Sequence, residues 1–116
     1  IIDMVLLIEE RIKLQNKEKM ASLIISDYYE AIKELITAIL LIDGYKTLSH
    51  KDLIDYVQEN YNNFTSQEIS VLDNLRVLRN RINYEGFRVE SYYLHRNEDL
   101  FKLIIKKLKI TIKKKL

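Results

Sequence analysis

Apolar positions in this chain recur at three- and four-residue intervals over almost its whole length, the period of an α-helix rather than of a strand. A first helix is expected from about Ile2 to Lys19, with Val5, Leu6, Ile8 and Ile12 turned inward. A second, from about Ser22 to Asp43, carries two apolar stripes. Ile25, Tyr28, Ile32, Leu35, Ile39 and Ile42 form one; Ile24, Ala31, Ala38 and Leu41 form the other. A helix that is apolar over most of its girth has to be covered on several sides, so this segment is expected at the centre.

Punctuation residues divide the rest. Gly44 is placed to end the second helix, because glycine enters the left-handed region at little cost. Ser49 with Asp52 resembles a capping box and opens a third helix that Asn60-Tyr61-Asn62-Asn63 stops. Thr65-Ser66-Gln67-Glu68 is a fuller capping box. It opens a fourth helix through Ile69, Leu72, Leu75, Val77, Leu78 and Ile82, ending before Gly86. Arg88–Tyr93 reads as a loop or extended stretch. A last helix is expected from about Leu94 to Lys114 on Leu100, Leu103, Ile104, Leu108 and Ile112. The expected fold is all-α: an up-and-down bundle of about five helices, forming one domain over residues 1–116.

Composition narrows the chemistry. No proline and two glycines in 116 residues argue against a turn-rich β fold. With no cysteine there is neither a disulfide, a thiolate metal site nor a cysteine nucleophile, and the two histidines, His50 and His95, exclude a histidine-rich metal centre. Neither a metal nor a cofactor is therefore expected, and a reducing, cytoplasmic setting fits. The opening run Ile1–Ile8 is broken by Asp3 and followed by Glu9, Glu10 and Arg11, far short of the roughly 20 apolar residues a membrane span needs. The formal net charge of +2 is unevenly spread: residues 100–116 hold seven lysines and no acid, leaving about −5 on residues 1–99. The lysines read as a basic arm on an acidic body, either a solvated helix end that complements the helix dipole or a contact for a phosphate backbone.

The densest polar segment is Arg76-Val77-Leu78-Arg79-Asn80-Arg81-Ile82-Asn83-Tyr84-Glu85-Gly86. Arg76, Arg79 and Asn83 share one helix face, with Asn80 and Tyr84 beside it at four-residue spacing. Arginine offers a bidentate fork to phosphate, asparagine an amide pair and tyrosine a stacking surface. The competing reading is that these arginines pair with Asp73, Glu85 or acids of neighbouring helices.

Arg79-Asn80 followed by Tyr84 resembles the motif of the HEPN family, an arginine and a polar residue with a histidine four to six residues on. The segment Asp43-Gly44-Tyr45-Lys46-Thr47-Leu48-Ser49-His50, with Leu53 beyond it, resembles that family's junction between its second and third helices. The resemblance implies a homodimer whose arginine-bearing helices build one cleft. It also implies kinship with metal-independent ribonucleases, toxins and defence effectors, often encoded beside a minimal nucleotidyltransferase. On the implied mechanism, Arg79 would bind the scissile phosphate, Asn80 would fill the polar position, and Tyr84 stands where the proton-moving histidine belongs. His50 falls at a position that is mostly structural in the family.

The departure at Tyr84 has a chemical consequence. A free phenol has a pKa near 10, so it is a poor general base near neutrality, where proton transfer favours groups titrating close to the working pH. The expectation is a nuclease-impaired, dimeric module that binds RNA, a nucleotide or a partner nucleotidyltransferase, with Arg76, Asn83 and His50 as further binding candidates. Two other readings stay open: an active endoribonuclease built on Arg79 and Asn80, and a purely structural helical protein.

Overall fold

A computed structural model describes residues 2–46 and 49–116, with the side chains of Ile2, His50 and Lys51 outside the description. It contains five helices: α1 (Ile2–Leu14), α2 (Ala21–Ile42), α3 (His50–Asn60), α4 (Ser66–Glu85) and α5 (Ser91–Lys115), with no strand among the described residues. The expected all-α bundle of five helices is the fold.

The helix ends show where local chemistry decides and where it is overruled. α1 stops at Leu14, five residues before the expected end, because the side chain of Asn16 accepts from the backbone N–H groups of Glu18 and Lys19 at 2.9 and 3.0 Å. An asparagine that caps its own chain in this way competes with helix continuation. At the end of α2, Gly44 adopts φ +93°; its N–H reaches the Leu41 carbonyl, and that of Tyr45 the Leu40 carbonyl, both at 3.1 Å. These two bonds make a Schellman motif, the reason for a glycine there. Ser49 caps α3 by accepting from the Asp52 N–H at 3.2 Å. In α4, Thr65 and Glu68 exchange both bonds of the capping box, at 2.7 and 3.1 Å.

α5 begins at Ser91, three residues earlier than expected. The preceding segment is held by tertiary bonds: Val89 is buried and its N–H donates to Ser22 Oγ at 2.8 Å, while Ser91 Oγ donates to Glu18 at 2.8 Å. Its first turn therefore rests on the α1–α2 connection and not on a side-chain cap of its own.

α2 lies against each of the other four helices, the central place its two apolar stripes require. It runs parallel to α5: Ser22 meets Val89, Tyr28 meets Glu98 and Asp43 meets Lys115. α1 runs antiparallel to α5, with Glu9 on Lys109 and Lys17 on Glu98, and α4 does so too, with Glu68 on Lys107. The four long helices thus alternate in direction, and the short α3 bridges α2 and α4. The core gathers twelve residues of α2 with Val5, Ile8 and Ile12 of α1, Leu72 and Leu75 of α4, and Leu94, Phe101, Ile104, Ile105 and Leu108 of α5. Leu6, Leu41, Ile42, Val77 and Leu103, apolar positions assigned to the inward faces by periodicity, are exposed instead. Each sits at the edge or the end of its stripe, beyond the cover of the neighbouring helices.

Polar ties close the bundle. Asp43 accepts from the hydroxyls of Tyr56 and Tyr61 and from Lys115 Nζ at 2.6 Å, fastening the end of α5 to the α2–α3 junction. Burial works against the charge of Asp43, but the bonds from Lys115 and the two tyrosines outweigh it and hold its carboxyl down to about 2. The lysine-rich segment is accordingly no free arm: Lys107, Lys109 and Lys115 each pair with a carboxylate of the body. The radius of gyration, 13.8 Å, is close to the roughly 13 Å of a single compact unit of this length.

Candidate functional site

The face of α4 that carries the motif arginines turns toward α2. Arg79 follows buried Leu72 and Leu75 at seven- and four-residue spacing, so its side chain starts near the core line and emerges at its edge. There the guanidinium lies over the ring of buried Tyr29, 5.8 Å from its centroid. Among the described residues, no carboxylate forms an ion pair with Arg79. An arginine over an aromatic face is held in place without being neutralised. The Tyr29 phenol is pushed up to about 12 by burial, against the opposing pull of Arg79 and Arg76.

Arg76 is differently placed. Its Nε and Nη2 both reach Asp73 Oδ1, at 3.1 and 3.0 Å, so the neighbouring acid that competes for it in sequence does engage it. Arg81, outside the expected set, packs its guanidinium 3.9 Å from the centroid of Phe87 and approaches Glu85 at 3.9 Å. Asn80 is half-buried and Asn83 exposed. Tyr84 is 80% exposed, and five residues of helix carry it about 140° around the axis from Arg79. Within one chain, then, Arg76, Arg79 and Asn83 share a face of α4 on which Arg79 lies over Tyr29, while Tyr84 points elsewhere. The side chain of His50 lies outside the described residues. His95 is exposed at the start of α5 and pairs with Glu18 at 2.7 Å.

A second feature lies on a different side of α2, where the buried Tyr28 projects about 100° around the helix from Tyr29. A groove of about 480 Å³ runs between α1 and α5 and continues into a second depression of about 350 Å³. Lys13, Lys17, Lys102, Lys106, Lys109 and Lys113 line it, over a floor of Ile12 and Ile105. At its base the buried Glu98 accepts from Tyr28 Oη at 2.6 Å and from Lys17 Nζ at 2.7 Å. Burial disfavours the charge of Glu98, yet Lys17 and Tyr28 together hold its carboxyl below the usual range, while burial and the same bond raise the Tyr28 phenol. Sequence periodicity missed this groove because its two walls come from opposite ends of the chain. The only local signal was the spacing of Lys102, Lys106, Lys109 and Lys113, at intervals of four, three and four residues.

Among the described residues no group of three or more histidine, cysteine, aspartate or glutamate side chains is positioned to hold a metal ion. Nor is any helix among them long and apolar enough to cross a membrane. Set against protein-family models, curated proteins and solved structures, the chain finds no match.

Proposed function

We propose that this chain is a HEPN-like homodimeric module that binds RNA or a nucleotide through Arg79 and does not cleave it. The observation that carries the reading is the state of Arg79: a guanidinium seated on the Tyr29 ring, half-buried, with no carboxylate partner among the described residues. A cation kept in place but left uncompensated is suited to a phosphate, which it meets with a planar pair of donors. Asn83 lies one turn further along the same face and adds an amide. Impaired chemistry follows from Tyr84: a proton-transfer group has to come within hydrogen-bond reach of the reacting atoms, and Tyr84 projects away from Arg79 on its own helix. The dimer is the part of the reading that the family resemblance supplies, and a minimal nucleotidyltransferase is the protein partner it suggests.

The test is incubation of the purified protein with fluorescent RNA in EDTA, alongside a binding titration and size-exclusion chromatography. Intact RNA over hours, dimeric elution, and at least tenfold weaker binding by Arg79→Ala are expected. Elution as a monomer at micromolar concentration, or unchanged binding by Arg79→Ala, would overturn the proposal. Cleavage that disappears in Arg79→Ala would establish the ribonuclease reading instead.

A further inference from the structure

We infer that the lysine-lined groove between α1 and α5 is a second, separate binding surface, and that it takes the phosphate backbone of a single-stranded nucleic acid without regard to sequence. The groove carries six lysines and two glutamates; both glutamates are committed, Glu9 to Lys109 at 2.6 Å and Glu98 to Lys17 at 2.7 Å, and Lys13 pairs with Glu10 at 3.3 Å. Lys102, Lys106 and Lys113 are exposed and form no ion pair among the described residues. The cations left over are therefore those at the rim.

Their layout distinguishes between ligands. Lys102, Lys106, Lys109 and Lys113 stand on one face of α5, and at 1.5 Å per residue they cover about 16 Å of helix axis. A single phosphate is satisfied at one point, whereas a line of ammonium groups of this length matches a chain of regularly spaced phosphates. The groove's apolar floor favours a single strand, whose sugars and base faces are free to lie on it, over a duplex, which keeps its base faces stacked inside. Ile12 and Ile105 on the floor offer apolar area to sugars and base faces but no donors that could read a base edge. The proposal is independent of Arg79, which lies on the Tyr29 side of α2.

A fluorescein-labelled dodecathymidylate titrated by anisotropy between 25 and 200 mM salt would test the groove, because DNA removes any contribution from a 2′-hydroxyl. With three free lysines each releasing a counterion, the slope of log K against log salt should be about −2. The triple variant K102Q/K106Q/K113Q changes exposed positions only, so its helical circular dichroism should match wild type. Its Kd should rise at least tenfold at the lowest salt and its slope flatten toward zero, both in the wild-type and in the Arg79→Ala background. The inference is overturned if wild type fails to bind the oligonucleotide at low salt, or if the triple variant keeps the wild-type affinity and slope. It is also overturned if a polyglutamate of equal charge competes as well as the oligonucleotide does, which would make the groove a docking site for acidic protein segments.

Discussion

Replacing Lys107 by methionine isolates the most deeply buried charge in the bundle. Glu68 is 2% exposed, and its Oε1 receives both Lys107 Nζ and the Thr65 N–H at 2.7 Å. Lys107 also donates to the Asn63 carbonyl at 2.9 Å and lies over the Phe64 ring. Methionine keeps the apolar stem and removes the ammonium, so the loss is electrostatic and not one of packing. Stranding a buried charge costs about 3–5 kcal/mol. Lys107 is one-quarter exposed and the Thr65 bond survives, which brings the expected loss to about 2–3 kcal/mol. For 116 residues the unfolding entropy near the midpoint is about 0.24 kcal/mol/K, so Tm should fall by about 8–12 °C.

The pH dependence separates this cause from others. In the wild type, burial alone would raise the Glu68 carboxyl, but Lys107 and Thr65 hold it below the usual range. Its contribution is therefore full above the unfolded value near 4.3 and is lost as pH falls. In Lys107→Met only the Thr65 bonds still oppose burial, so the carboxyl moves upward and the variant loses stability as pH rises above about 4.3. The gap between the two proteins, read from urea unfolding by circular dichroism, should be widest at pH 7 and narrow toward pH 4. Adding Glu68→Gln, which keeps an acceptor for Thr65, should recover most of it. A loss below about 0.5 kcal/mol at pH 7, or one of equal size at pH 4 that Glu68→Gln does not relieve, would refute the reasoning.

Three further outcomes are expected. With Asp43 held down to about 2, its ties are intact above about pH 4 and released as pH falls toward 2; Asp43→Asn should flatten this acid limb and cost about 1 kcal/mol at neutral pH, measured by urea unfolding across that range. Phe101 is fully buried with its ring centroid 5.2 Å from that of Tyr28, and Phe101→Ala should cost about 3–5 kcal/mol in the same assay. Gly86 ends α4 at φ +66°, with open space where a side chain would project, so Gly86→Ala should cost about 1 kcal/mol from backbone strain alone, seen as a fall in Tm of about 4 °C.

The elements were legible because their signals are local. A 3.6-residue apolar period, the Thr65–Glu68 box and the glycine after Asp43 each act within a few residues, so composition and spacing alone specify five helices with the second at the centre. Tertiary structure decided what depends on distant chain segments. The early start of α5 rests on Ser22 and Glu18, more than sixty residues away. The motif face was readable from spacing, but whether an arginine on it is neutralised was not: Arg76 found Asp73 one turn away, while Arg79 met a tyrosine of α2 and no acid among the described residues. The lysines of α5 looked alike in sequence. Folding sorted them, because Lys107, Lys109 and Lys115 met carboxylates of the body and became structural ties, while Lys102, Lys106 and Lys113 at the α1–α5 groove found no carboxylate partner among the described residues.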